Sequence, residues 1–292
     1  MHIGIDGGGS NTRAKRLDPD GAVRTAVVAK PSSLTLGVDG AWRHIAEALA
    51  AVGVERHAYS AVHLSCALAG SRRQAGRLAF LQAAPAFASF TLCSDGHATV
   101  LGAHSGRPGA AVSIGTGIVG NSLTAEGPGR EVGHQVGGWG FPVRDEASGA
   151  WLGRLVLAEA LRVLDGYDLQ STPLHHAVLA EVGPTVDEIA EWIYQAPSTR
   201  YAALARLIVD AAAVGDAAGL RLLRRAAHEA NLLVDALDPA GDLPLCFGGS
   251  LSAPILAHMA ERIVARVRPG DGDACDGALL LAHGRARSDL PI

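Results

Sequence analysis

Four cysteines in 292 residues, Cys66, Cys93, Cys246 and Cys275, are too few and too scattered to form a CxxC pair or a Cys/His cluster. Structural zinc and iron–sulfur sites need such groupings, so neither is expected, and buried reduced thiols are. Long apolar runs are also missing. None approaches the ~20 residues that cross a bilayer, and the chain does not open with a basic stretch, an apolar core and a cleavage site. A cytoplasmic protein with no membrane partner is expected. Positive charge is not in excess either: 25 Lys and Arg stand against 29 Asp and Glu, a net charge of −4. That excludes the global electrostatic footprint of a nucleic-acid binder. The local clusters Arg72/Arg73/Arg77 and Arg221/Arg224/Arg225 fall at helical spacing and are expected on solvated helix faces. With 48% hydrophobic and only 18% charged residues, the chain lacks the signature of disorder. Its length suits two domains or one large α/β domain.

What the sequence has in excess is glycine, 36 residues without a collagen period or a low-complexity tract. Glycine must therefore serve particular backbone positions. The chain opens as a β-meander, with strands over 2–6, 12–17 and 23–29. A helix follows with Asp39 as N-cap and Trp42, Ile45 and Leu49 on one face. A strand over 61–66, a helix over 71–84, a strand over 89–93 and a short helix over 96–104 complete the first half. The pattern then restarts with strands over 110–114 and 118–123. A Gly-rich connection over 127–140 leads to a helix over 148–164, whose inward stripe is expected to include Trp151, Leu155, Ala158 and Leu161. Helices dominate 175–237. A strand over 243–247 and helices over 253–266 and 276–287 close the chain. Strand, glycine turn, strand thus occurs twice, and the segment 105–109 punctuates the halves. The expected domains are 1–107, completed by 276–292, and 108–275.

Asp6-Gly7-Gly8-Gly9-Ser10-Asn11-Thr12 carries the first chemistry. A dinucleotide fingerprint needs a helix after its glycines and a Walker A loop needs Gly-Lys-Ser/Thr, so both fail here. What remains is a hairpin whose backbone N–H groups can line an anion, since glycine tolerates positive φ and lets a phosphate approach without a Cβ clash. Ser10 and Thr12 add hydroxyls, and Asp6 at the strand end suits a hydrated Mg²⁺ bridging phosphates. Ser113-Ile114-Gly115-Thr116-Gly117 is the corresponding turn of the second half. Asp95, at the end of an apolar strand, serves either as a helix cap with Ser94 or as a general base, and the residues alone leave both open. In Gly137-Gly138-Trp139-Gly140-Phe141-Pro142, followed by Asp145-Glu146-Ala147-Ser148, a tryptophan between glycines is costly for a plain linker. It reads as the wall of a site for a small polar ligand, with a carboxylate to bind hydroxyls. Gly248-Gly249-Ser250 ends the last strand where backbone can approach a base or ribose.

In order and spacing these pieces resemble the BadF-type ATPase family, and within it the N-acetylglucosamine kinase and glucosamine kinase branch. The wider group holds sugar kinases, actin and heat-shock chaperones. The resemblance implies two ribonuclease-H-like (actin-like ATPase) α/β domains with a cleft between them, ATP and Mg²⁺ as cofactors, and phosphorylation of the 6-hydroxyl of an amino sugar. Position by position, it implies that Asp95 is the catalytic base and that the sugar is bound by Ser33, Asp95, Gly117, Gly138, Trp139, Gly140 and Asp145. ATP falls to Gly8, Gly9, Ser10, Asn11, Thr12, Gly115, Thr116, Gly248, Gly249 and Ser250, and Mg²⁺ to Asp6 through water. The chain departs from the family where Ser33 replaces the usual Asn and where Ala147 replaces a Gly, the latter a modest change if φ is negative there. Glu131-Val132-Gly133-His134 mimics the Glu-x-Gly-His sugar motif of another kinase family and reads as coincidence. Two alternatives stand beside the kinase: an activator ATPase for an iron–sulfur dehydratase or reductase, which the scattered cysteines oppose, and a sugar sensor without turnover. The resemblance also allows a homodimer.

Overall fold

The computed structural model describes residues 1–125, 131–167 and 170–290. It is a mixed α/β protein with two sheets, and its chain divides into two compact units. One comprises 1–111, 121–134 and 268–292; the other comprises 112–120 and 135–267.

Strands β1 (His2–Gly7), β2 (Thr12–Leu17) and β3 (Val23–Val28) form the expected meander. Helix α1 (Val38–Ala51) is preceded by Gly37 as N-cap, with Asp39 inside its first turn rather than capping it. Ile45 and Leu49 of α1 are fully buried, and side chains of that size stabilise by roughly 1.5–3 kcal/mol each when removed from water. Strand β4 (His63–Leu68), helix α2 (Gln74–Gln82), strand β5 (Ser89–Ser94) and helix α3 (Asp95–Ala103) follow. The five-stranded sheet has the order β3-β2-β1-β4-β5, antiparallel through the meander and parallel from β1 to β4 to β5. Such parallel strands gather functional groups at their carboxyl ends. Arg77 of α2 does not lie on a solvated face: it is 8% exposed, and its Nε finds no hydrogen-bond partner among the described residues.

The second sheet has the order β8-β7-β6-β9, built from β6 (Gly109–Ile114), β7 (Ile118–Ala125), β8 (Glu131–Gly137) and β9 (Leu245–Gly248). Strand β8 corrects the sequence reading, which took its residues for part of a glycine-rich connection. Residues 127–130 of that connection lie outside the described residues. Periodicity did not betray β8 because its composition, EVGHQVG, carries two glycines and no strict alternation. Helices α4 (Gly149–Leu164), α5 (Pro173–Val182), α6 (Val186–Gln195), α7 (Ser198–Ala213) and α8 (Ala217–Leu237) separate β8 from β9. On α4 the buried stripe runs through Trp151, Leu152, Val156, Leu157 and Ala160, while Ala158 is exposed and Leu155 and Leu161 are only half-buried. In an alanine- and leucine-rich segment several helical phases are equally apolar, and packing against α7 selects one of them.

After β9 the single helix expected over 253–266 is two short ones, α9 (Ser252–Leu256) and α10 (Glu261–Val264). The break has a cause: the Ala260 N–H donates to Asn231 Oδ1 of α8, at 3.2 Å, instead of continuing a helical ladder. Helix α11 (Ala274–Ala282) stops short of the expected 287. Gly284 adopts φ +70°, its N–H bonding to the Leu281 carbonyl and that of Arg285 to Leu280, which is a Schellman termination. Helix α11 packs on α3 and β1 within the first unit.

Candidate active site

In the first unit the β1–β2 hairpin presents the glycine turn. Gly8 N–H donates to the Asn11 carbonyl at 3.1 Å, and the Gly8 carbonyl accepts the N–H groups of Ser32 and Ser33. Gly7 is packed so tightly that a Cβ would meet Ser32 Oγ, whereas a Cβ on Gly8 or Gly9 would meet nothing within 4 Å among the described residues. Neither of these two has positive φ. Their lack of side chains is thus demanded by no turn and no neighbour, and leaves backbone that a ligand can approach closely. Ser10 and Asn11 are exposed. Thr12 is fully buried, its Oγ1 lying 2.8 Å from both the Lys30 carbonyl and Ser32 Oγ. Asp6 is ion-paired with its cross-strand neighbour Arg13, which also reaches Asp273. Both Arg13 contacts fall on Oδ2 and none on Oδ1. Ser33 is buried and caps a 3-10 turn, its Oγ 2.8 Å from Thr35 Oγ1 and donating to the Ala69 carbonyl at 3.2 Å.

Asp95 opens α3 directly after the end of β5. Ser94, not Asp95, is the cap: its Oγ accepts the His97 N–H. Asp95 Oδ1 accepts the Gly96 N–H at 3.0 Å. Displacement of water by the surrounding protein raises the Asp95 carboxyl above the ordinary value, the Gly96 N–H opposes this, and the negative charge of Asp6 adds to it. Gly96 has no room for a side chain, because a Cβ would collide with the amide of the buried Asn121.

The second unit assembles the remaining motifs. The turn Gly115–Gly117 docks on the start of α4: Gly149 N–H donates to the Gly115 carbonyl at 2.8 Å and Ala150 N–H to the Thr116 carbonyl at 3.1 Å, while Ser148 Oγ accepts the Trp151 N–H. The orphan donors of the helix start thereby hold the turn in place. Gly115, like Gly8 and Gly9, would direct a Cβ into open space. Gly249, at φ +91°, passes so close to Ile114 that a Cβ would overlap its carbonyl, and Leu251 N–H donates to that same carbonyl at 3.1 Å. This brings Ser250 beside Gly115 and Thr116. Together with Thr199, Ala202, Ala203 and Arg206 of α7 they line a cavity of about 540 Å³, within the range of small-molecule sites. The α7 wall escaped sequence reasoning, whose only available signal was an alanine-rich helix face.

Gly138, Trp139, Gly140 and Asp145 also lie in this unit. Gly138 and Gly140 take positive φ, and Trp139 is 80% exposed. Asp145 is buried; its Oδ1 accepts the Gly140 N–H at 3.1 Å, and its Oδ2 lies 2.6 Å from where a Gly117 Cβ would stand. Burial raises its carboxyl above the ordinary value, partly offset by the Gly140 N–H. Asp145 and Ala147 are both non-glycine residues with positive φ, +73° and +76°, so the negative φ on which a modest change at 147 depended is not met, and a Cβ stands where glycine fits best. His134 is exposed.

A sheet of order 3-2-1-4-5 with a glycine hairpin between its first two strands, repeated by a second strand–glycine turn–strand, defines a protein of the ribonuclease-H-like, actin-type ATPase class. The chain belongs to the BadF/BadG/BcrA/BcrD ATPase family, whose profile matches residues 3–269. It is 30% identical to the glucosamine kinase of Vibrio cholerae over 285 residues, covering 96% of this chain and 95% of that protein. It is 26% identical to an N-acetylmuramic acid/N-acetylglucosamine kinase of Clostridium acetobutylicum, over 80% of this chain and 78% of that one. The crystal structure of a candidate N-acetylglucosamine kinase from Chromobacterium violaceum superposes with a TM-score of 0.85 at 34% identity, covering 96% of this chain and 98% of that one. All four cysteines are free and buried. Among the described residues no helix is long and apolar enough to cross a membrane.

Proposed function

We propose that this protein is an ATP-dependent amino-sugar kinase that phosphorylates the 6-hydroxyl of glucosamine or N-acetylglucosamine. The observation that carries this reading is Asp95. An aspartate at the carboxyl end of a parallel strand, accessible and with a raised affinity for protons, is suited to accept a hydroxyl proton. ATP is bound through the side-chain-free backbone of Gly8, Gly9 and Gly115, with Ser10, Asn11 and Thr116 adding polar contacts. The cavity lined by Ser250 and α7 takes the nucleoside. Asp145, fixed by the Gly140 N–H, accepts hydrogen bonds from sugar hydroxyls beside Trp139, and Gly117 leaves room for them. The oxygen donor Asp6 Oδ1, unclaimed by Arg13, fits a hydrated Mg²⁺. When bound there, the ion supplies charge neutralisation for ATP phosphates. As the sugar hydroxyl attacks the γ-phosphorus and the bond to ADP breaks, Asp95 takes up the hydroxyl proton. The relatives named for glucosamine and N-acetylglucosamine support the substrate class.

The test is ADP release over glucosamine, N-acetylglucosamine, N-acetylmannosamine and glucose. Turnover with at least one of the first two is expected; ADP release with none of the four overturns the reading. With the preferred sugar, Asp95→Asn is expected to keep ATP and sugar binding and to lose about 10²- to 10⁴-fold in kcat. Near-normal turnover in that variant removes Asp95 from its role.

A further inference from the structure

We propose that Asp289 is a positioning residue for this phosphoryl transfer, its carboxylate clamping the residue from which the Asp95 turn starts. The inference rests on the reading of Asp95 as base. Three hydrogen bonds carry it. Asp289 Oδ1 accepts the Ser94 N–H at 3.0 Å, its Oδ2 accepts the Ser94 hydroxyl at 2.5 Å, and Arg72 Nη2 donates to Oδ2 at 3.0 Å. By accepting the hydrogen bond that the Ser94 hydroxyl donates, Asp289 leaves the Oγ lone pairs to accept the His97 N–H and so determines which way the cap faces. The Asp289 side chain is 4% exposed. Charge-assisted bonds at such a site are the strong ones.

The segment that carries Asp289 is itself pinned on both sides. Ser288 Oγ donates to the Leu92 carbonyl at 2.6 Å, Leu290 enters the hydrophobic core, and His97 Nε2 lies 2.8 Å from the Arg287 carbonyl. A surface tail needs no buried carboxylate. Its aim at Ser94, one residue before Asp95, ties a segment remote in sequence to the geometry of the proposed base, where small displacements are costly. Asp289 also acts through space. The charged groups facing Asp95 are Asp6 of β1, itself paired with Arg13, and Asp289, paired with Arg72; both carboxylates raise the Asp95 proton affinity.

Asp289→Asn keeps the shape, turns one acceptor into a donor against Ser94 and deletes the charge. It is expected to lower kcat by about tenfold or more, to leave the KM for ATP near wild type, and to move the acid limb of the rate profile to lower pH. Arg72→Gln, at a half-exposed position that tolerates change, leaves Asp289 uncompensated and is expected to move the acid limb to higher pH. Opposite displacements are a readout that loss of packing does not produce. Wild-type kcat and acid limb in Asp289→Asn, or a kcat loss with an unmoved limb, overturn the inference. Should that variant fail to fold, an unmoved or lowered limb in Arg72→Gln does so. If Asp95→Asn turns over normally, the base assignment fails and this inference with it; if Asp95→Asn is inactive while both other variants keep the wild-type profile, this inference alone fails.

Discussion

At Gly117 the missing side chain is a steric requirement, since a Cβ there would stand 2.6 Å from Asp145 Oδ2. Gly117→Ala must push that carboxylate off the Gly140 N–H. The expected outcome is a sugar KM raised about tenfold or more, as displaced contacts cost, with the KM for ATP nearly unchanged. Steady-state kinetics with each substrate varied in turn checks it. Gly8, Gly9 and Gly115 are a different kind of glycine. Nothing among the described residues forbids a Cβ at any of them, and none has positive φ, so of the two uses of glycine expected here only close ligand approach remains. Ser33 and Thr12 show the opposite limit of residue-level reading. Both are polar residues inside the motif region, yet their hydroxyls are occupied by bonds to the Lys30 and Ala69 carbonyls and to the Ser32 and Thr35 hydroxyls, pairings that the motifs do not reveal.

Among elements, β1, β4 and the C-cap of α11 meet in a stack of imidazoles. The His2 ring lies 4.8 Å from that of His63 and 3.7 Å from that of His283, both at 19°. Burial lowers the proton affinity of His2, and His283, His63 and the terminal ammonium lower it further. His283 is lowered by burial, then by Arg285, His63 and the ammonium. With folded pKa values below the unfolded value near 6.5, the unfolded chain binds more protons as pH falls. Stability from these groups is therefore present above about pH 6.5 and lost as pH drops towards the folded pKa. Thermal midpoints measured between pH 7.5 and 5.5 are expected to fall in the wild type and to fall less in His2→Gln; equal slopes contradict the assignment. The elements themselves were largely legible in the sequence, because the meander, β4, β5 and the starts of α3 and α4 rest on local chemistry. Where the reading slipped, tertiary contacts decided: Asn231 interrupts the helix over 253–266, and the α4 stripe is phased by α7.

For the whole molecule, the cysteines give a global readout. Burial pushes the Cys66 and Cys93 thiols up well beyond the ordinary thiol range and that of Cys275 to about 12. The thiolate is the reactive species, so labelling has to wait for the structure to open. Ellman's reagent is expected to modify fewer than one thiol in the native protein within minutes and all four in denaturant. Rapid native labelling of any buried cysteine contradicts this packing.

By itself the sequence determined the class of fold and the kinds of group at the proposed site, because strand periodicity, glycine turns, helix starts and an aspartate after an apolar strand are written within a few residues of one another. Tertiary structure alone decided which of those groups are free to act. Asp6 is shared with Arg13, Thr12 is turned inward, Ser250 is drawn beside Gly115 by the Ile114 carbonyl, and Ser94 is held by Asp289 from 195 residues away. The physical reason is that a buried hydrogen bond or ion pair is chosen by proximity in space, and proximity across such separations is a property of the packed core rather than of any local stretch of chain.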